Sequence, residues 1–282
     1  MTFSPFDSPI YSTLYGDADV RALFTDSAEV RAMLLVEGTL AKVQGELGLI
    51  PLESALYIHR ASMEVQVDPA GLAAGMADTG SPVAALIEAF GKAMEAPDHA
   101  KYIHWGAHAQ DISDTALVLR LRQYMRLLDT RLEALTAIDP FAEISQVRQR
   151  LQPIQPRLLV VRFQGDGIVS NTDKVEAALA SALKLSLPSD PPVSAREVIV
   201  DLISEVSKFT TSLAEIAKDF PPSIHPEVVQ TMALFSKSQL DQMQQENVLN
   251  NIMLALEKLT LAQVCIAGSV ALKHALAMAD QA

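Results

Sequence analysis

The sequence predicts an all-α fold, in which a small N-terminal helical domain (residues 1–110) is followed by a central bundle of long helices (residues 111–282). In this division a C-terminal domain is short or absent. Apolar residues recur at three- and four-residue steps over residues 114–137 and again over residues 248–279, which is the spacing of one helix face. At 1.5 Å per residue, the second segment would form a helix of roughly 48 Å. Helices of that length pack in bundles or coiled coils.

The other elements follow from shorter apolar stripes and from the residues that interrupt them. A capping-box-like sequence at Asp26 opens a helix over residues 26–47, and residues 52–100 form shorter helices separated by proline and glycine. Further helices are predicted over residues 141–155, 173–185, 198–216 and 225–243. The apolar run at residues 157–163 fits either a helix or a strand. Glu37 lies within the apolar stripe of the first long helix, where it either pairs with a neighbouring helix or supports a functional site.

Composition and charge restrict the classes of function. Hydrophobic residues make up 49% of the chain and charged residues 20%, which is typical of a globular protein. A net charge of −12 argues against nucleic acid and against anionic membrane surfaces as partners. A single cysteine, no signal-like N-terminal pattern and no apolar run of ~18 residues predict a cytoplasmic protein with no membrane partner. Without a P-loop, a dinucleotide fingerprint or zinc-ligand spacing, we expect neither a cofactor nor a metal.

One segment, residues 102–115, gathers polar, aromatic and small residues without helical periodicity. It contains the only tryptophan and two of the six histidines. A long amphipathic helix follows, for which Asp114 is the predicted N-cap. Free backbone N–H groups and the helix dipole favour negative charge at such a terminus. The segment therefore predicts a binding site for an anionic small molecule.

The residues of this segment carry a resemblance to a known family. His104-Trp-Gly-Ala-His-Ala-Gln-Asp-Ile-Ser-Asp-Thr115 resembles the first signature of the fumarase/aspartase superfamily. It is similar to the form His-Trp-Gly-Ala-Thr-Ser-Gln-Asp of bacterial 3-carboxy-cis,cis-muconate cycloisomerases. The resemblance implies a cofactor-free enzyme that closes a lactone by adding a carboxylate of its small polycarboxylate substrate across a double bond, in protocatechuate-type aromatic catabolism. It also implies a homotetramer, and the long stripes over residues 117–135 and 249–270 suit a bundle between subunits.

The resemblance implies a set of substrate-binding residues, mostly in this segment. Trp105 would pack the wall of the site, Gly106 would allow close approach, and the others would hold substrate or orient the loop. His108 and its neighbour Ala109 stand where the family has Thr-Ser, so two hydroxyl groups are missing. The implied residues are His104, Trp105, Gly106, His108, Gln110, Asp111 and Arg196.

No catalytic residue is assigned, because the family's serine loop, Gly-Ser-Ser-x-Met-Pro-x-Lys-x-Asn-Pro, has no counterpart between Asp219 and His225. The second family signature, rich in threonine and arginine, is missing as well. Two alternatives therefore stay open. Besides the cycloisomerase, the chain could be a degenerate, non-catalytic homologue that acts as a helical assembly protein, or another lyase of the superfamily. His104 itself has a purely structural alternative, as a hydrogen-bonded core histidine at the entrance of a helix.

Overall fold

The computed structural model describes residues 4–138, 141–169, 171–189, 194–244 and 250–280, with the backbone alone for residues 143 and 250–254. Within these ranges the regular secondary structure is helical, apart from one isolated β-bridge between Val160 and Ser186, which confirms the all-α prediction. Short 3-10 helices lie at Pro69–Leu72, Phe141–Ile144 and Pro222–Ile224. The α-helices are α1 (Ser12–Tyr15), α2 (Ala18–Leu23), α3 (Asp26–Glu46), α4 (Leu52–Glu64), α5 (Ala73–Thr79), α6 (Val83–Ala93), α7 (Pro97–Ala100), α8 (Ala109–Thr136), α9 (Ser145–Leu151), α10 (Gln155–Leu158), α11 (Thr172–Leu183), α12 (Ala195–Ala217), α13 (Pro226–Met243) and α14 (Asn250–Ala279).

Most of the predicted helices are found within a few residues of their expected bounds, but the start of α8 is not. This helix begins at Ala109, so the prediction that Asp114 is its N-cap was wrong. Asp114 lies within the helix and its Oδ1 accepts a hydrogen bond from Gln110 Nε2 at 2.6 Å. The ambiguous run at residues 157–163 ends one short helix, α10, and then continues as extended chain. Leu249, which was assigned to the stripe of the last helix, lies outside the described residues.

Two compact units make up the structure, and each is discontinuous in sequence. The first contains Met1–Phe24, Gln123–Leu158 and Pro191–Ala282, and the second contains Thr25–Arg122 and Leu159–Asp190. The α8 helix contributes residues to both. A domain boundary at residue 110 stays a proposal, since these units divide the chain at other places.

In the first unit, the helices α12, α13 and α14 pack against one another, and a buried ion pair fixes the N-terminal segment to them. The Arg131 guanidinium contacts Asp17, Asp19 and Ser269. Burial alone would raise the pKa of Asp17, but the hydrogen bonds and charge of Arg131 lower it below its usual value. Asp17 also accepts from Val20 N as the N-cap of α2. One carboxylate thus joins α2, α8 and α14.

The α14 helix is long and apolar enough over Ala255–Ala279 to cross a membrane by length and composition alone. This corrects the expectation that no apolar run reaches that length. Within the structure 72% of its most apolar window is buried, as is typical of a helix in the core of a folded domain.

The apolar stripe of α8 is also largely buried within the single chain. All its members but Leu117, which is half-buried, are almost completely inaccessible to solvent, so the stripe stabilises the fold of the single chain and does not by itself require a partner subunit. The homotetramer stays a prediction. The buried members are Leu121, Tyr124, Leu128, Leu132 and Leu135.

In the second unit, α3 is the central element, because both α4 and α11 pack along it. Its buried face carries Met33, Leu34 and Leu40, which join one apolar core with Ile58 of α4 and Phe90 of α6. Two polar residues, Glu37 and Gln44, interrupt this face and are themselves buried. Their side chains lead to the site described next.

Candidate functional site

The loop that leads into α8 is held in place by one buried carboxylate. Asp111 Oδ2 accepts hydrogen bonds from the backbone N–H groups of His108 at 3.0 Å and of Gly165 at 3.1 Å, and Oδ1 accepts one from Gln164 N at 3.1 Å. The bond to His108 is the backward half of a capping box, since Asp111 is the third residue of the helix. The other two bonds tie residues 164–165 to the start of α8. Asp111 therefore orients the loop.

Gly106 allows the loop to approach the chain at residues 164–169. Its φ is +65°, and a Cβ atom there would lie 2.1 Å from Val169 Cγ2. Its carbonyl oxygen accepts a hydrogen bond from Asp166 N at 3.1 Å. The close approach that the structure shows at this glycine is made to Val169, and a role for Gly106 in binding substrate stays a prediction.

His104 forms the most unusual contact of the loop. Its Nδ1 lies 2.7 Å from Glu37 Oε1, and the two side chains are 18% and 1% exposed. Because a carboxylate oxygen can only accept, Nδ1 carries the proton. Burial alone would lower the pKa of His104, but the hydrogen bond and charge of Glu37, with the charges of Asp111 and Asp166, raise it above the usual value of 6.5.

A second polar residue of α3 supports the same loop. The fully buried Gln44 donates a hydrogen bond from Nε2 to the carbonyl oxygen of Trp105 at 2.6 Å. The Trp105 indole is 36% exposed and contacts the ring of Tyr102 with centroids 5.6 Å apart. Gln44 was not predicted as a site residue, although it follows Glu37 by seven residues on the same helix face. This spacing was the signal that could have identified it.

The structure brings His104, Trp105, Gly106 and Asp111 together in one loop. The side chains of His108 and Gln110 are exposed, and Gln110 bonds to Asp114 within the helix. Arg196 is in the other compact unit, at the beginning of α12, where it forms an ion pair with Glu257 of α14. Of the predicted residues, those of the loop therefore come together in one described cluster, with Glu37 and Gln44 of α3.

The connection between α12 and α13 is short. Residues 218–225 contain only the 3-10 turn Pro222–Ile224, and they end at His225, which has a φ of +57° and lies 2.9 Å from Glu227 Oε1. In the described part of the chain, no group of three or more His, Cys, Asp or Glu residues is arranged to hold a metal ion.

The cluster around His104 has the chemistry of an anion site. An imidazole with a raised pKa supplies a positive charge and an N–H donor. The first backbone N–H groups of the 28-residue α8 point in the direction of the helix terminus, where the dipole favours negative charge. A carboxylate is one ligand that could use both.

Comparison with known proteins finds cycloisomerases and lyases among the relatives, although no protein-family profile matches the chain. The chain is 28% identical over 249 residues to the 3-carboxy-cis,cis-muconate cycloisomerase of Pseudomonas aeruginosa, covering 74% of this chain and 54% of that protein. It is 38% identical over 108 residues to the N-acetyl-S-(2-succino)cysteine lyase of Enterococcus italicus, covering 38% of this chain and 23% of that protein. The chain thus spans about half the length of the cycloisomerases that it matches.

The fold gives the same relationship. The 3-carboxy-cis,cis-muconate lactonizing enzyme of Pseudomonas putida superposes with a TM-score of 0.87 at 25% identity, covering 97% of this chain and 76% of that chain. A fumarate lyase from Mesorhizobium sp. BNC1 shares the fold with a TM-score of 0.85 at 24% identity, over 96% and 76% of the two chains. The chain is therefore similar in sequence and in fold to 3-carboxy-cis,cis-muconate cycloisomerases, which is the resemblance that the loop of residues 104–115 predicted.

Proposed function

We propose that this protein binds a small polycarboxylate at the loop of residues 104–111 and acts as a 3-carboxy-cis,cis-muconate cycloisomerase-like enzyme of aromatic-acid catabolism. The observation that carries the proposal is the contact of His104 with the buried Glu37. It places a histidine whose pKa is raised, and which therefore favours its protonated, N–H-donating form, in the loop that resembles the family signature.

The reaction needs charge stabilisation and one proton. A carboxylate oxygen of the substrate adds to a double-bond carbon and forms the C–O bond of the lactone. The π electrons move to the adjacent carbon and onto its carboxylate, which becomes an aci-carboxylate. Protonation of that carbon completes the isomerisation. Donors that face the aci-carboxylate would lower the barrier, because the charge on its oxygens grows in the transition state.

In this proposal His104 donates a charge-assisted hydrogen bond to a substrate carboxylate, and the start of α8 faces the same anion. Asp111 acts on the loop and not on substrate, because backbone N–H groups already use both of its oxygens. Trp105 provides a wall. The residue that delivers the proton is not among those assigned to this site.

Assembly and location belong to the same proposal. We expect a homotetramer in the cytoplasm, with no cofactor, by analogy with the family that the sequence resembles. The proposed substrate and pathway also rest on analogy with that family.

A second candidate function is favoured by one observation. The connection over residues 218–225 is too short to contain the family's serine loop, and it is closed by a 3-10 turn. A protein that keeps the carboxylate site without this loop would bind polycarboxylates and assemble with partners, but it would not catalyse lactone formation.

The two candidates are separated by one assay with 3-carboxy-cis,cis-muconate, in which loss of the conjugated-diene absorbance reports turnover and calorimetry reports binding. We expect turnover, and we expect His104→Ala to weaken binding by about tenfold or more, since a hydrogen bond to a charged group contributes about 1.5–3 kcal/mol. His225→Ala, outside this loop, is the control and should bind normally. Binding without turnover selects the second candidate, and a chain that does neither contradicts both.

A further inference from the structure

We infer that Glu37 is the positioning residue of this site: its buried carboxylate holds the His104 ring through Nδ1, so that Nε2 is the ring nitrogen that binds the anionic ligand. The inference rests on the proposed function and deepens it. Glu37 lies on α3, 67 residues before its partner, and no part of the sequence motif contains it.

The geometry leaves the histidine little freedom. Nδ1 is fixed at 2.7 Å from Glu37 Oε1, and the backbone of His104 has a φ of +60°. This left-handed conformation costs a non-glycine residue about 1–2 kcal/mol, so contacts elsewhere must hold it. Among the described residues, His104 Nε2 has no hydrogen-bond partner, and the side chain is 18% exposed. With one ring nitrogen anchored, the other is the donor that remains for a ligand.

The burial of Glu37 requires a positive partner. Its side chain is 1% exposed, and its second oxygen, Oε2, is buried without a hydrogen-bond partner in the described part of the chain. A buried carboxylate is costly unless it is paired. The imidazole of His104 is the group that meets this requirement, and it does so fully only in its protonated form.

The other charged groups around His104 also raise its pKa. Asp111, at the start of α8, and Asp166, in the chain that contacts Gly106, both raise its pKa, and Glu37 does so from α3. Burial opposes them. The pKa of His104 is raised overall, so its protonated form should persist to higher pH than that of an ordinary histidine.

Stability should follow pH with a definite sign. A histidine whose pKa is higher in the folded than in the unfolded state contributes stability that is complete below about 6.5 and is lost as the pH rises through the folded value. His59 and His274 have lowered pKa values, mainly because of burial, and they act in the opposite direction. The difference between the wild type and Glu37→Gln isolates the contribution of His104.

The experiment combines a histidine titration with ligand binding. NMR of imidazole-labelled protein gives the pKa of His104 in the wild type, Glu37→Gln and Glu37→Asp, and calorimetry gives the affinity for tricarballylate, a saturated tricarboxylate. Glu37→Gln keeps the size of the side chain and an acceptor for Nδ1 but removes the charge, whereas Glu37→Asp keeps the charge at a shorter reach. Glu64→Gln is the matched control, because the Glu64 side chain is 62% exposed on α4 and pairs with Arg60.

We expect a wild-type pKa of His104 above 6.5, which falls in Glu37→Gln and is unchanged in Glu64→Gln. Affinity for tricarballylate should fall by about tenfold in Glu37→Gln near pH 7.5, with a smaller difference near pH 5.5, where a larger fraction of the variant carries a protonated His104. A purely structural role would weaken binding equally at both pH values.

Two results would overturn the inference. They are a wild-type His104 pKa at or below 6.5, which needs no variant to measure, and a pKa that does not respond to Glu37→Gln in a folded protein. If the pKa falls in Glu37→Gln while tricarballylate binds neither protein, Glu37 still controls His104 and the proposed polycarboxylate site is wrong. The two failures are thus distinguishable.

Discussion

Asp111→Ala is expected to lower the free energy of unfolding by about 2–4 kcal/mol. Three backbone N–H groups, those of His108, Gln164 and Gly165, lose their acceptor, and each buried donor left unpaired costs about 1–3 kcal/mol. The bond from Gly165 is the buried one, whereas solvent can partly replace the other two. Urea denaturation measures the loss, and hydrogen exchange at Gly165 N should report it locally.

A neighbouring carboxylate provides the control for this variant. Asp114→Ala removes an acidic side chain from the same helix, but one whose Oδ1 accepts from the exposed side chain of Gln110, so we expect a change of about 0.5 kcal/mol or less. The loss of stability in Asp111→Asn should lie between the losses in these two variants, because asparagine keeps one acceptor oxygen but directs an NH2 group at a backbone N–H. A loss below about 1 kcal/mol for Asp111→Ala would show that the loop does not depend on this carboxylate.

Gly106→Ala is expected to destabilise the protein by about 2–4 kcal/mol, for two separable reasons. The backbone φ of +65° disfavours any side chain, and the new Cβ would lie 2.1 Å from Val169 Cγ2. Gly48→Ala is the matched control, because Gly48 has a φ of +72° with nothing within 4 Å of its Cβ position. That variant should lose only the conformational part, about 1 kcal/mol.

The steric part can be tested by a compensating change. Val169→Ala removes Cγ2. The Gly106→Ala substitution should therefore cost less stability in the Val169→Ala variant than in the wild type. Thermal denaturation of the four proteins gives the coupling energy. Equal losses in Gly48→Ala and Gly106→Ala would mean that residues 106 and 169 do not pack as described.

The sequence was informative wherever structure depends on local periodicity. The helices α3, α12 and α13 were expected close to their observed bounds, because their apolar stripes repeat over several turns. The start of α8 was placed five residues too late, at Asp114. Two acidic residues near this terminus, Asp111 and Asp114, are candidates for the cap. Asp111 is the one that caps the helix: from the third helical position it accepts from His108 N, and it also binds the backbone of Gln164 and Gly165. A contact across more than fifty residues leaves no local pattern.

Glu37 illustrates the same limit. Its position in an apolar stripe indicated that it needs a partner, and pairing with a neighbouring helix or support of a site were both considered. The partner is His104, in a loop, and one chain's sequence does not identify such a pair. Similarly, the α8 stripe was expected to suit a bundle between subunits, and most of its leucines are already buried within a single chain. Periodicity shows that a face is covered but not what covers it.

The most direct test of the account is an NMR titration of histidine-labelled protein with 3-carboxy-cis,cis-muconate near pH 7. The central claim is that the loop of residues 104–111 binds a polycarboxylate through His104. We predict that the imidazole signals of His104 shift and saturate with ligand, while those of His225, which lies in the other unit, stay in place. A folded protein in which the His104 signals do not respond would contradict the claim.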